Sequence, residues 1–335
     1  MTIEHAVLTE FSREESAGTL KLGEAFVQDT SNDSINELFN TFKLSYLKRS
    51  SKTYGHFAAE DHVFAQLINR FNGKQISLDD VNTEIGSMLK TFFEDTQDSF
   101  EFKLLLTHEI LEDQENLYLL FLANKSVEYF DEQLNVQSIE VIDFSKLPFG
   151  LKIDLELFAK NDTKYMSVLN TRGNKELSEA FMNFTGFVEG IDVKAQTEEF
   201  LKIVDSFSKE MPKDEVSEYR NTVVDYCMEQ DSLGEEISIK EIGAQLKELP
   251  FEPSEDFSAF VARQQQKPQD HIVPHRASLK RYVRFFGRDK KMSISFDSDR
   301  FGQDIQYDEQ NQSLTINELP QSLQKQIKQY LDKAE

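Results

Sequence analysis

The stretch EFKLLLTHEILEDQENLYLLFLA, residues 101–123, decides the fold. Two dense apolar runs, residues 101–111 and 117–123, flank the polar segment EDQEN. Apolar runs of this length, bounded by a short polar segment, are typical of two strands joined in a buried hairpin. We therefore expect this hairpin to lie inside the main sheet of the protein.

Helical patterns precede this hairpin, and further strand patterns lie on both sides of it. Apolar residues recur at helical spacing over Asp33–Leu47, His62–Phe71 and Leu78–Phe93. Short strands are predicted from extended patterns at residues 6–11, 19–22, 138–144, 152–158 and 165–169. The helices are grouped rather than alternating regularly with strands, so the fold class is predicted as α+β, with an antiparallel-rich sheet in a mixed N-terminal region.

Helices dominate the chain after Asn174, and the tail returns to strands. The helical patterns cover residues 175–184, 195–207, 213–228 and 239–246, and strand patterns cover 292–296, 303–307 and 313–316 before a last helix after Pro320. We place the boundary near Gly186–Gly190. The prediction is a mixed α+β domain over residues 1–190, followed over 191–335 by a helical domain with a basic helix, a small antiparallel sheet or hairpin and a last helix.

The composition excludes several broad classes of protein. The 335 residues include one cysteine, Cys227, so an internal disulfide is excluded, and the 37 basic against 60 acidic residues give a net charge of −23. The N-terminus has no basic and apolar signal pattern, and no apolar run reaches the ~18 residues of a membrane span. A cytoplasmic protein without membrane contact is expected, and its overall charge repels nucleic acid except at a local basic surface.

Sequence patterns of a catalytic site are weak. Glycine-rich phosphate loops and the nucleophile elbow of hydrolases do not occur. The one histidine pair at i,i+4 spacing, His271 and His275, is interrupted by Pro274 and is read as part of a loop. Cys227 lies in an apolar helical pattern typical of a buried, inert thiol. The acidic pairs Asp297/Asp299 and Asp79/Asp80 are the only candidates for a metal-dependent nuclease. We predict that the protein is not an enzyme and needs no cofactor or metal.

A basic segment departs from the acidic character of the chain. Nine basic and two acidic residues lie between Val261 and Met292. A helix over Arg276–Phe286 would place Tyr282 and Phe286 on a core face and basic residues on the other, with Gly287 as its stop. Clustered basic residues are the electrostatic mark of nucleic-acid binding. The predicted DNA-binding residues are Arg276, Lys280, Arg281, Arg284, Arg288, Lys290 and Lys291.

Two alternatives remain open for these cations. From charge and periodicity alone, the predicted helix is more readily explained as a solvated face paired with acidic residues of the same chain. A secondary DNA-binding candidate, formed by Lys48, Arg49 and Lys52, is also explained as a helix C-terminus whose cations complement the helix dipole.

Three stretches resemble one known family. They are SSKTYGHF at 50–57, TRGNKELSEAFMNFTGFVEGIDVKAQTEEFLKIVDSF at 171–207 and ISFDSDRFGQDIQYDEQNQSLTI at 294–316. The most specific matches are Arg172-Gly173, Phe181, Phe184, Gly186, Glu189-Gly190 and Lys194-Ala195. In this respect the chain resembles the bacterial nucleoid-associated protein family known as NdpA or YejK, over nearly its whole length.

The resemblance implies a cytoplasmic protein of the nucleoid that binds double-stranded DNA and has type II topoisomerases as partners. It implies no catalytic centre and supplies no DNA-binding residues, so the basic segment is predicted from charge and periodicity alone. Sequence-nonspecific, salt-sensitive binding to the phosphate backbone is the expected function. The alternative is an acidic adaptor that binds type II topoisomerases and reaches DNA indirectly. A homodimer is left open, since 28 phenylalanines provide apolar surface for an interface.

Overall fold

The computed structural model of the chain describes residues 2–111, 114–171, 173–209, 211–212, 215–249, 255–265 and 269–332. It confirms the α+β class. The chain forms two compact units, Met1–Val193 with Ser232–Glu235, and Lys194–Asp231 with Glu236–Glu335. The division into folding domains at residue 190 stays a prediction.

The first unit contains a large antiparallel sheet. Its strands, in chain order, are β1 (Thr2–Arg13), β2 (Lys21–Val27), β3 (Thr53–Phe57), β4 (Phe100–Leu111), β5 (Gln114–Leu122), β6 (Asn124–Phe130), β7 (Val136–Ile142), β8 (Phe149–Asp154), β9 (Met166–Asn170) and β10 (Phe187–Glu189). Eight of them form one sheet in the order β10-β3-β9-β8-β5-β4-β1-β2, while β6 and β7 form a separate hairpin. Every pairing in the large sheet is antiparallel.

The predicted buried hairpin is confirmed as β4 and β5, which pair antiparallel and lie inside the sheet. Leu106 and Leu119 face one core, and the adjacent residues Leu105 and Leu120 face another core on the opposite side of the sheet. Side chains of successive strand residues point to opposite faces. An unbroken apolar run is therefore required, because both faces of these strands are covered.

Five helices of the described first unit are α1 (Asp33–Leu47), α2 (Val63–Asn72), α3 (Leu78–Phe93), α4 (Leu155–Ala159) and α5 (Lys175–Thr185). The predicted bounds of α1 and α3 are confirmed exactly. The predicted strand over residues 152–158 is wrong in its second half, because β8 ends at Asp154. The Asp154 carboxylate accepts a hydrogen bond from the Leu157 N–H at 2.8 Å and so begins α4.

The second unit is helical and carries short hairpins. Its elements are α6 (Val193–Ser208), α7 (Val216–Leu233), β11 (Ile237–Ser238), α8 (Ile239–Leu246), α9 (Phe257–Gln264), β12 (His271–Ile272), α10 (Arg276–Tyr282), β13 (Arg284–Arg288), β14 (Ser293–Asp297), a 3₁₀ turn (Ser298–Arg300), β15 (Ile305–Asp308), β16 (Ser313–Ile316) and α11 (Gln321–Leu331). Phe200, Phe207, Tyr219 and Phe257 are at the centre of its core. Lys213, the predicted start of α7, lies outside the described residues.

Candidate nucleic-acid interface

The predicted basic helix is shorter than expected. Helix α10 ends at Tyr282, and the next residues form β13, which pairs with β14. The prediction of a helix through Phe286 with a stop at Gly287 is therefore wrong. Phe285 and Phe286 are aromatic residues of high strand propensity, and pairing with β14 satisfies their backbone groups. Arg284 and Arg288 consequently lie on a strand and not on a helical face.

Helix α10 begins at a histidine cap. The Nδ1 atom of His275 accepts a hydrogen bond from the Ser278 N–H at 3.3 Å, and the His275 N–H donates to the Thr197 hydroxyl at 3.0 Å. Leu279 is fully buried in the core of the second unit. These contacts fix the helix on α6, and they leave Lys280 and Arg281 exposed on its outer side.

The end of α10 is held by a polar cluster. The Tyr282 hydroxyl donates to Asp205 Oδ1 at 2.7 Å, and Arg220 Nη2 donates to the same oxygen at 2.6 Å. The Arg220 guanidinium also lies 5.5 Å from the centre of the Tyr282 ring. Burial and the Asp205 carboxylate raise the pKa of Tyr282 well above its usual range, so it stays a neutral donor. Tyr282 lies two residues before the start of β13, so this cluster anchors the base of the β13–β14 hairpin.

Strands β13 and β14 form a two-stranded ribbon with a short basic turn. The Asp289 N–H donates to the Met292 carbonyl at 2.9 Å, which leaves Lys290 and Lys291 as the two central turn residues. The Asp289 carboxylate accepts from the N–H groups of Lys291 and Met292 at 2.7 and 2.8 Å. These hydrogen bonds lower the pKa of Asp289, so the turn is stabilised by an ionised carboxylate.

The two faces of the ribbon differ in chemistry. On one face Phe285 lies against Phe296 and Phe301, with ring centres 5.3 and 5.1 Å away. The other face carries Arg284, Phe286 and Arg288 of β13, opposite Asp297, Ser295 and Ser293 of β14. All six of these residues are exposed. Sequence reasoning missed this face because it placed Phe286 in the core. The signal that points to a strand here is the adjacent aromatic pair Phe285-Phe286, since aromatic residues favour strands.

The predicted DNA-binding residues fall into two groups in the structure. Arg276 Nη1 forms an ion pair with Asp231 Oδ2 at 3.0 Å, and Arg284 Nε forms one with Asp297 Oδ1 at 3.2 Å. The other five are exposed and form no ion pair within the described part of the chain; they are Lys280, Arg281, Arg288, Lys290 and Lys291. The end of α10 and the ribbon turn therefore present cations that are available to an external anion.

The secondary candidates lie in the first unit, at the end of α1. Lys48 caps the helix, and Arg49 Nη2 donates to the Ser145 carbonyl at 2.5 Å. Lys52 donates to the Leu47 carbonyl, and its Nζ atom lies 5.3 Å from the centre of the Tyr46 ring. Arg49 and Lys52 therefore have structural contacts at this helix end, and a DNA-binding role for the cluster stays a prediction.

Other candidate sites have structural explanations. Asp80 forms a capping box with Ser77 at the start of α3. The Oδ1 atom of Asp79 lies 3.1 Å from Nε2 of His5. The Asp299 side chain lies outside the described residues. Among the residues that the structure describes, no group of three or more histidine, cysteine or acidic side chains is arranged to hold a metal ion. Burial raises the pKa of the Cys227 thiol to about 12, as expected for an inert thiol.

A surface groove of about 630 Å³ is lined by residues between 170 and 183, nearly all of them in the stretch 171–207 that resembles the family. Its lining includes Asn170, Asn174 and Ser178. The Ser178 hydroxyl donates to Asn170 Oδ1 at 2.5 Å, and Asn174 Oδ1 accepts from the Leu177 N–H at 3.1 Å at the start of α5. These polar groups already bind one another or the backbone. Arg172, at the edge of this stretch, lies outside the described residues.

Comparison with known proteins identifies the family. The family model of the nucleoid-associated protein YejK matches residues 12–324. The chain belongs to the YejK family. A nucleoid-associated protein of Pasteurella multocida is 27% identical over 289 residues, covering 85% of this chain and 84% of that protein. A nucleoid-associated protein of Shewanella baltica is 24% identical over 341 aligned residues and covers 98% and 97% of the two chains.

The YejK match includes both units and the whole basic ribbon. A nucleoid-associated protein of Photobacterium profundum is 30% identical over 200 residues, which cover 58% of this chain and 59% of that protein. Among the helices that the structure describes, none has the length and apolar character needed to cross a membrane. These findings confirm the resemblance that the three sequence stretches indicated.

Proposed function

We propose that this YejK-family chain is a nucleoid-associated protein that binds the phosphate backbone of double-stranded DNA through the end of α10 and the β13–β14 ribbon. The observation that carries the proposal is the set of five exposed cations without an ion pair in the described part of the chain: Lys280, Arg281, Arg288, Lys290 and Lys291. Arg284 contributes once it leaves Asp297. Arg276 is half-buried against Asp231 and chiefly positions α10.

The local charge must act against a strongly acidic chain. The net charge is −23, and residues outside 261–292 include 28 basic and 58 acidic residues. At about 0.15 M salt the screening length is about 8 Å, so carboxylates beyond that distance weaken phosphate binding only slightly. Binding is therefore expected at contact range, with modest affinity and strong dependence on salt.

The contact groups fit the backbone better than base edges. Arginine presents forked donors to phosphate oxygens, and lysine presents a compact charge. A two-stranded ribbon is narrow enough to enter a DNA groove. Asparagine and glutamine, which read adenine through paired hydrogen bonds, are missing from residues 276–297, and the arginines and lysines there are the residue types that also read guanine. We expect the phosphate contacts to dominate, so that binding depends little on base sequence.

The test is a fluorescence-anisotropy titration of a labelled duplex at several salt concentrations. The variant Lys280→Glu/Arg281→Glu/Arg288→Glu is compared with Lys90→Glu/Lys146→Glu/Lys240→Glu, which changes the net charge equally at exposed lysines elsewhere. Loss of binding in the first variant alone supports the proposal. Equal loss in both variants shows a general charge effect, and no binding by the natural protein at low salt rejects direct DNA contact.

A second candidate function is favoured by the acidic remainder of the chain. A surface of this sign complements a basic DNA-dependent enzyme, such as a type II topoisomerase. Capture of purified topoisomerase after nuclease treatment, retained by the first triple variant, would support this adaptor role. A capture that requires intact DNA would instead support direct binding of both proteins to DNA.

A further inference from the structure

Phe286 occupies an unusual place on the basic ribbon. Its side chain is 67% exposed, and it lies between Arg284 and Arg288 on one face of β13. The cross-strand partners on this face are Asp297, Ser295 and Ser293, so Phe286 is its only apolar residue. Exposing an aromatic ring to water is unfavourable, and nothing in the ribbon itself covers it.

The opposite face of the ribbon keeps Phe286 pointing outward. Phe285 packs on Phe296 and Phe301, and strand side chains alternate between faces. Phe285 and Phe301 remain 46% and 44% exposed, so this face is held by the contacts of the three rings with one another and not by deep burial. The packed face therefore pre-orders the ring of Phe286 and the arginines beside it, which lowers the entropy lost on binding a ligand.

We propose that Phe286 is a wedge that enters the base stack of duplex DNA, while Arg288 and Arg284 bind phosphates on either side of the opened step. Architectural DNA-binding proteins insert apolar side chains in this way and kink the duplex. Arg284 and Arg288 are four residues apart, which is about 13 Å along an extended strand. Each arginine therefore lies about two base steps of 3.4 Å from the inserted ring, one on each side of it.

The surroundings of Phe286 favour DNA over an apolar protein partner. The turn beyond it carries Lys290 and Lys291, and the helix before it carries Lys280 and Arg281, all exposed. An apolar partner would have to remove these charges from water without pairing them, which is costly. A second copy of this acidic chain also complements the charge of these basic residues. The sedimentation comparison below tests that self-association.

This inference rests on the proposed function, because the wedge acts only if the ribbon reaches DNA. It adds a preference for a duplex with an interrupted base stack, which contact with the phosphate backbone alone does not give. Opening a base step costs least where the stack is already interrupted. The protein should therefore bind a duplex with an unpaired bulge more tightly than a fully paired duplex of the same length, by about tenfold if one aromatic stack is gained.

The experiment measures binding of both duplexes, and the bend of the bulged one by energy transfer between dyes at its ends. It compares the natural protein with Phe286→Ala, Phe286→Leu and Phe130→Ala. Phe130 is the matched control, since it is 70% exposed at the end of β6, beside Asp131 and Glu132. We expect Phe286→Ala to lose the preference and the bend but to keep backbone binding and its salt dependence. Phe286→Leu should retain part of both, and Phe130→Ala should behave as the natural protein.

The outcomes separate this inference from the proposed function. Equal binding of both duplexes by the natural protein, or a preference that survives in Phe286→Ala, overturns the wedge and leaves backbone binding in place. Failure of the natural protein to bind either duplex overturns both. Sedimentation of each variant provides the last comparison. If Phe286→Ala loses oligomers that the natural protein forms, and if its affinity for both duplexes falls equally, the ring acts in self-association and the wedge is overturned.

Discussion

Arg284 and Asp297 face each other across the β13–β14 ribbon, with Arg284 Nε 3.2 Å from Asp297 Oδ1. Both side chains are more than half exposed, at 54% and 63%. Exposed ion pairs of this kind contribute little stability and are weakened by salt. The Asp297 carboxylate is nevertheless paired with the Arg284 guanidinium, which we propose for phosphate binding. It therefore competes directly with DNA phosphates for this arginine.

Asp297→Asn should therefore tighten DNA binding. The substitution keeps the size of the side chain and removes the carboxylate that competes with phosphate for Arg284. We expect the affinity to rise with a similar salt slope, because the number of phosphate contacts is unchanged and Arg284 no longer has to leave an ion pair. Glu309→Gln is the control, because it removes the same charge at an exposed position in the turn after β15. An equal effect of both substitutions would show that only net charge matters.

Asp289→Ala should have the opposite effect on DNA binding, although it also removes a negative charge. The Asp289 carboxylate accepts two backbone hydrogen bonds that order the turn carrying Lys290 and Lys291. Loss of these bonds lets the turn fluctuate, and ordering it again on DNA costs entropy. Asp289→Asn, which keeps an acceptor, should bind nearly as the natural protein. Tighter binding by Asp289→Ala would contradict the ordered turn.

The same carboxylate gives the turn a dependence on pH. The pKa of Asp289 is lowered in the folded protein, so the unfolded state binds more protons in the acid range. Its contribution to stability is present above the unfolded pKa of about 3.9 and is lost as pH falls through the lower folded pKa. Hydrogen exchange at the Lys291 and Met292 amides should show protection at neutral pH that decreases in acid, and should show no such change in Asp289→Asn.

The success of the sequence predictions depended on burial. Helix α3 was predicted exactly, since its apolar face is buried and Ser77 with Asp80 marks its start. The β4–β5 hairpin was equally clear because both of its faces are covered. Strand β6 was not predicted, since most of its side chains are exposed and no core imposes a pattern.

The candidate site was predicted in its residues but not in its shape. The cations were found from charge alone, whereas the helix through Phe286 was wrong because Phe286 also fits a helical apolar face. The pairing of β13 with β14 depends on residues up to thirteen positions away. Local periodicity does not report such a pairing. Helix α9 was also missed, although α8 has the same length and was predicted. The buried residues of α8 extend over its whole length, from Ile239 to Leu246, whereas those of α9 lie only in its first part, from Phe257 to Val261.

Gly55→Ala should destabilise the large sheet. A Cβ atom on Gly55 would lie 1.9 Å from the Val188 carbonyl oxygen, across the pairing of β3 with β10. The backbone must move to accept it, at a cost of about 1–3 kcal/mol. Gly287→Ala is the matched control, since a Cβ atom there meets nothing within 4 Å. Urea unfolding of both variants checks this, and equal stabilities would contradict the close approach.

Cys227 should react with thiol reagents only when the second unit opens. The side chain is fully buried, and burial raises the pKa of its thiol to about 12. At pH 8 the thiolate fraction is small and the sulfur is inaccessible. Labelling with Ellman's reagent should be slow in the native protein and rapid in urea. Prompt stoichiometric labelling of the native protein would show that this core is open.

The most direct test of the account is photo-crosslinking from the tips of two hairpins. A photoreactive amino acid is placed at Met292, in the basic turn of the ribbon, or at Leu134, in the turn between β6 and β7; both positions are exposed. We predict that Met292 crosslinks to labelled duplex DNA at low salt and that Leu134 does not. Crosslinking from Leu134 alone, or from neither position while the protein still binds DNA, would contradict the ribbon as the DNA-binding site.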